Sequence, residues 1–218
     1  MSSRIIALVA AAVAAFGAGA AHAQAAPPPV PGPAPQQLVE QVSGDLLKAI
    51  DADRAALTKN PAKLRAVVDK VLLPRFDAEY SARLVLGKYW RTATPEQRTR
   101  FINAFIDSMM RQYGNALLQF TSGRMTMLPY KGDPNSASAT VRTEIKRDDG
   151  TPVPVNYSLR ATPEGWKAWD VTIEGVSYVK NFRTDFGSEI EAKGLDAVIQ
   201  RLETQGAAAA AKSAAKGS

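Results

Sequence analysis

Cysteine is absent from this chain, and histidine occurs once, at position 22. Without thiols there is no disulfide staple, no lipidated cysteine and no thiolate nucleophile or metal ligand. His22 lies inside an apolar leader, so the exported protein is expected to hold neither residue type. That excludes histidine-dependent triads and the ordinary zinc and iron sites, and no metal or other cofactor is expected. Carboxylate chemistry and a Ser–Lys pair survive the cut. The phosphate-cradling patterns G-x-x-x-x-G-K-[ST] and G-x-G-x-x-G are also missing. Past the leader, no stretch approaches the roughly 20 apolar residues a membrane span needs. No basic run is interleaved with aromatics, so nucleic acid is not an expected partner.

What is present begins with that leader. Arg4 supplies a positive start, Ile5 to Ala21 are almost wholly small or apolar, and Ala21-His22-Ala23 has the small-x-small form that signal peptidase cuts. Residues 1–23 are therefore expected to be a signal peptide. A retained anchor is the alternative, disfavoured by a short, alanine-rich apolar core. Residues 24–37 form a Pro-rich linker with nothing to bury, residues 38–205 are long enough for one domain with a sizeable core, and residues 206–218 are an Ala-rich tail expected to be disordered. The chain has 27 Lys and Arg against 21 Asp and Glu, a net charge of +6 that falls by one with Arg4. Such a surface suits acidic partners or anionic headgroups, or simply solubility.

Helical spacing recurs in Leu38, Val42, Leu46 and Ile50 as far as about Leu57. Asn60-Pro61 restarts a helix that Pro74 ends, a third covers about Asp77 to Trp90, and Thr94 with Gln97 forms a capping box for a fourth running close to Phe120. The period then changes to two. Met125 and Met127 open a short strand, and Ala139, Val141, Thr143 and Ile145 alternate with polar residues. Asp148-Asp149-Gly150 turns into Val153, Val155, Tyr157 and Leu159. A further turn at Thr162–Gly165 leads to Trp169, Val171 and Ile173. Helical spacing returns from Ser177 to Leu202, interrupted at Gly194. The fold class is α+β: a curved, antiparallel four-stranded meander packed against N- and C-terminal helices.

Three features bear on chemistry. Ser177 and Lys180 match S-x-x-K, but the S-D-N and K-T-G elements of serine enzymes with that motif are absent, and Ser213–Lys216 repeats the match in the tail. The alternative is that Ser177 caps a helix. Asp170 and Glu174 share the strand face opposite Trp169, Val171 and Ile173, either as paired carboxylates or as solvated charges. The fourth helix carries an apolar stripe wider than packing on one sheet requires, and Met109, Met110, Met125 and Met127 can reshape around variable apolar guests. That stripe is either an ordinary two-layer core or the wall of a cavity.

The stretch LLPRFDAEYSARLVLGKYWRTATPEQRTRFINAFIDSMMRQYGNAL (72–117) resembles the MlaC/toluene-tolerance family of periplasmic phospholipid-binding proteins, and GWKAWDVTIEGVSYVKNFRTDFGSEIEAKGLDAVIQRL (165–202) resembles that family's closing block, with D-V-x-x-E-G-V-S at Asp170–Ser177. The likeness covers roughly residues 38–203. It implies a non-catalytic periplasmic carrier that takes a phospholipid into an apolar cavity between sheet and helices. The implied partners are an outer-membrane lipoprotein–porin complex and the MCE-domain subunit of an inner-membrane ABC transporter, in a system that maintains outer-membrane lipid asymmetry. Apolar phase then selects the lipid-binding wall: Leu86, Tyr89, Phe105, Met109, Tyr113 and Leu117 from the helices, with Val141, Tyr157, Trp169, Val171, Ile173, Val176, Val179 and Phe182 from the sheet and closing helix. The basic residues Arg75, Arg83, Lys88, Arg91 and Arg98 are the candidates for partner or headgroup contact. An exported adaptor that binds a protein through its basic helical surface, with a filled core, is the alternative.

Overall fold

The computed structural model describes residues 30–216 except 120, 122, 134, 135 and 148, with side chains through residue 209. The leader and most of the Pro-rich linker lie outside the described residues. Asn60 opens one helix as anticipated, its side-chain oxygen accepting from the N–H groups of Ala62 and Lys63 at 3.0 and 3.2 Å. The capping box also forms, Thr94 Oγ1 accepting from Gln97 N–H at 3.1 Å and Gln97 Oε1 from Thr94 N–H at 2.9 Å.

Two of the expected helices are divided. The first becomes α1 (Pro35–Ala52) and α2 (Arg54–Lys59), parted at Asp53, and α3 spans Pro61–Val71. The third becomes α4 (Ala78–Leu86) and α5 (Lys88–Thr92), parted at Gly87 with φ 53° and ψ −116°. A side chain at Gly87 would be strained in that conformation, and its Cβ would lie 3.2 Å from the Arg183 guanidinium. The long α6 spans Pro95–Leu118.

The sheet has five strands in the order β1-β2-β3-β4-β5, each antiparallel to its neighbour. These are β1 (Met125–Met127), β2 (Ser138–Lys146), β3 (Pro152–Thr162), β4 (Gly165–Ile173) and β5 (Val176–Ser177). The added strand turns back at Glu174-Gly175, both with positive φ (50° and 83°), as a two-residue type I′ connection demands. Pairing shifts between Ser158↔Asp170 and Leu159↔Ala168, which makes Trp169 the extra residue of a β-bulge. The Trp169 carbonyl accepts from the buried Ser81 hydroxyl at 2.5 Å, and the Ala168 carbonyl accepts from Asp77 N–H at 2.7 Å. These two bonds fasten α4 to β4.

The closing helices are α7 (Tyr178–Lys193) and α8 (Leu195–Lys216), separated at Gly194. Backbone helix therefore continues through 206–216, where low complexity suggested a disordered end. Alanine's high helix propensity accounts for the difference. Arg201 grips Glu189 through two bonds of 2.8 and 2.5 Å, joining α8 to α7. Hydrogen bonds from Arg201 hold the Glu189 carboxyl below the usual glutamate range, more than offsetting partial burial. A carboxyl depressed by folding adds stability above its unfolded value of about 4.3 and loses it as pH falls through the lower folded value. Glu189→Gln should therefore melt below the wild type at pH 7, and the gap should close as pH drops below about 4. A gap of constant size from pH 7 to pH 3 in thermal melts would contradict this.

Candidate functional site

The interior is divided into three apolar clusters instead of one continuous core. The largest joins α4, α5, α6, α7 and α8 around Phe101, Phe105, Phe182 and Phe186. Phe105 is 0 % exposed; it stacks on Phe101 at 5.8 Å and meets Phe182 edge-on at 5.2 Å. A second cluster lies where Leu38 and Val39 of α1 cover Ala139, Val141 and Leu159 of the sheet. A third is formed by Leu46, Ile50, Leu57, Leu64 and Leu118 at the far ends of α1 and α6.

The residues expected on one lipid-binding wall are shared out among these clusters. Leu86, Phe105, Val179 and Phe182 are buried in the first, with Tyr89, Met109, Tyr113 and Trp169 half-buried against it. Val141 and Tyr157 belong to the second, and Leu117 to the third. Val171 and Ile173 are half-buried, while Val176 is 56 % exposed. Between α6 and α7 the rings of Phe101, Phe105, Phe182 and Phe186 interlock, stacked or edge to face. Two clefts are present among the described residues. One of about 570 Å³ is lined by Arg54, Thr58, Asn115, Leu118, Gln119, Thr121 and Arg124. The other, about 220 Å³, lies over β2–β4 and is lined by Ser138, Thr140, Ser158 and Trp169, with Ala139 and Leu159.

Where α6 meets the start of α7, Tyr113 and Tyr178 touch edge-to-face at 4.6 Å, both half-buried. Burial pushes both phenols up, and the neighbouring Tyr178 and Asp185 push Tyr113 further. Burial likewise raises the Tyr157 phenol, against a hydrogen bond with Thr143 that lowers it. Tyr178 was not among the expected wall residues, although it stands four before Phe182 on one helical face.

Ser177 does cap α7, its Oγ accepting from Lys180 N–H at 3.1 Å while its proton goes to Asp170 Oδ2 at 2.6 Å. Asp170 Oδ1 accepts from Val179 N–H at 3.0 Å. Asp170 is 4 % exposed, so the expectation of a solvated pair is corrected for this residue. The start of α7 folds back over β4, and the helix N-terminus supplies both donors and a favourable dipole for the carboxylate. Glu174 remains exposed and pairs with Arg147 at 2.9 Å. No cluster of three metal-ligating side chains occurs among the described residues.

Of the candidate contact residues, Arg75, Arg83, Lys88 and Arg91 are exposed and Arg98 is half-buried. Arg98 donates to the Trp90 carbonyl at 3.1 Å and lies over the Trp90 ring. Arg83 and Lys88 lie over Tyr80 and Tyr89.

The family described as MlaC protein matches residues 40–204. A toluene tolerance protein, ttg2D of Pseudomonas putida, is 32 % identical over 163 residues, 74 % of this chain and 75 % of that protein. The intermembrane phospholipid transport system binding protein MlaC of Haemophilus influenzae is 24 % identical over 172 residues, 78 % of this chain and 80 % of that protein. A solved phospholipid-binding protein from Ralstonia solanacearum, in complex with a phospholipid, superposes with a TM-score of 0.75 at 26 % identity, covering 80 % of this chain and 98 % of that one.

Proposed function

The chain belongs to the MlaC family, and on that premise we propose that it is a periplasmic carrier that buries the acyl chains of one phospholipid. The observation that carries this reading is the match in fold to a solved phospholipid complex over nearly all of that protein's length. In this reading residues 1–23 direct export, 24–37 tether, and 38–205 bind lipid. The carrier receives and delivers lipid at an outer-membrane lipoprotein–porin complex and at the MCE-domain subunit of an inner-membrane ABC transporter, and so maintains outer-membrane asymmetry. It needs no catalytic group and no cofactor; phospholipid is its cargo.

The physical task is plain. About thirty acyl methylenes at ~0.8 kcal/mol each make about 25 kcal/mol of aversion to water, so crossing an aqueous compartment requires comparable apolar surface on a protein. An empty chamber of that size would leave its lining without dispersion partners. A carrier whose walls close on one another when unloaded avoids that loss. The division of the interior into three clusters supports such a mechanism, because chains can enter along the boundaries without breaking any one cluster. Tyr113 and Tyr178 stand together at the half-buried edge of the first cluster, where α6 meets the start of α7.

Uptake of a pyrene-labelled phospholipid from vesicles tests both points. Wild-type protein should extract the probe, and Tyr113→Leu should raise its exchange rate about threefold to tenfold, as expected for losing one aromatic pair. An unchanged rate would remove the Tyr113–Tyr178 edge as the entry seam. Failure of the wild type to extract any probe would count against the carrier reading itself.

A further inference from the structure

Many cations of this protein are neutralised, Arg65 by Asp69 and Asp107, Arg100 by Glu203, Arg201 and Lys193 by Glu189, Arg160 by Asp77, and Arg147 by Glu174, while others, Lys59, Lys70, Arg75, Lys131 and Lys146 among them, are exposed without an ion pair. Arg83 of α4, Lys88 and Arg91 of α5, and Lys180 and Arg183 of α7 are exposed, and none has an ion pair or side-chain hydrogen bond to another described residue. They come from two segments, 83–91 and 178–184, that contain no acidic residue.

The fold brings these segments together. The positive-φ break at Gly87 lets the Arg183 guanidinium lie directly against the chain between α4 and α5, where any Cβ would meet it at 3.2 Å. Arg183 and Lys180 are three residues apart and share a face of α7. Arg83 and Lys88 are partly held by the rings of Tyr80 and Tyr89, at 4.8 and 5.0 Å from their centroids. Cations steadied on aromatic faces and left without counter-charge lose less side-chain entropy when an outside anion arrives. The face also adjoins the start of α7, one turn from Tyr178 and hence from the edge assigned above to lipid entry.

Resting on the carrier reading, we propose that Arg83, Lys88, Arg91, Lys180 and Arg183 form the docking face for a partner protein that presents a carboxylate-rich surface. A membrane is the less suited occupant, because Val176 is the one exposed large hydrophobic residue among those described and offers little to insert between headgroups. Arginine forks match carboxylates two bonds at a time, and a field of one sign steers encounter while allowing release. Docking here would hold the α6–α7 boundary against the partner during transfer.

The experiment uses the full exported chain with Arg83→Glu, Lys88→Glu and Arg183→Glu combined, and a second variant with glutamine at the same three positions. Each is titrated against the MCE-domain subunit and, separately, against vesicles of phosphatidylcholine with and without phosphatidylglycerol, at low and high salt. Bound phospholipid is counted in every sample by native mass spectrometry. The expected result is a Kd for the subunit raised about tenfold or more by charge reversal, less by neutralisation, with the wild-type affinity falling as salt rises and lipid content unchanged. Equal affinities for wild type and both variants would overturn the proposal, as would wild-type protein that ignores the subunit. Salt-dependent binding to phosphatidylglycerol vesicles alone, lost in the variants, would overturn it in favour of a membrane dock. Wild-type protein that never carries lipid would instead remove the carrier reading, a separate outcome from loss of docking.

Discussion

Replacing Asp170 by alanine should lower the thermal unfolding midpoint by roughly 6–12 °C. The carboxylate is buried under α7 and accepts two bonds, from the Ser177 hydroxyl and from the buried Val179 N–H. Hydrogen bonds to a charged acceptor are worth about 1.5–3 kcal/mol each, and the alanine variant also leaves the Val179 donor desolvated and unpaired. A loss of about 3 kcal/mol in a domain of this size moves the midpoint by about 2–4 °C per kcal/mol. Asp170→Asn, which keeps one acceptor, should lose less. Ser177→Ala, which removes the cap of α7 while Asp170 keeps its bond to Val179, should lose about 1 kcal/mol. That ordering, read by circular dichroism melts, is the signature of a latch between sheet and helix. An Asp170→Ala midpoint within 2 °C of wild type would show that the start of α7 holds without it.

The second large effect is expected at Phe105. It is wholly enclosed and touches the rings of Phe101, Phe182 and Phe186. Phe105→Ala should cost about 3–5 kcal/mol, the range for emptying a large aromatic from a packed core. Had Phe105 lined a standing chamber, with ring atoms facing empty space or solvent, truncation would remove fewer contacts and cost about 1 kcal/mol. The size of the loss therefore distinguishes a closed interior from an open one. Added phospholipid should restore part of the lost midpoint if acyl chains reach this cluster, since a ligand that binds only the folded state stabilises it by mass action. Unloaded Phe105→Ala that melts within 3 °C of wild type would contradict the packed arrangement.

How far the sequence revealed these features depends on the kind of signal each leaves. Asn60-Pro61 and Thr94 with Gln97 announced their helix starts because capping is local chemistry, readable within four residues. The alternation from Ala139 to Leu159 announced the central hairpin for the same reason. Gly87 did not announce a helix break, since an isolated glycine is tolerated in helices and its approach to Arg183, nearly a hundred residues on, is a tertiary fact. β5 was too short to show a period of its own. Asp170 looked solvent-facing because strand alternation was the only cue; that α7 would fold over it is a tertiary fact. The candidate wall residues were recognisable as inward-facing, and most are buried or half-buried. Apolar phase says which way a side chain points and nothing about whether the space there is filled. Val141, Leu117 and Phe105 share that phase yet belong to three different clusters.

In the carrier reading, this apolar interior takes in the chains of one phospholipid. Native mass spectrometry of protein purified from the periplasm of a Gram-negative host, followed by organic extraction, addresses it most directly. The expected species is heavier than the processed chain by the mass of one phospholipid, with that lipid recovered in the extract and displaced by phospholipid added in vesicles. A spectrum showing only the bare chain, both as purified and after incubation with vesicles, would contradict that reading.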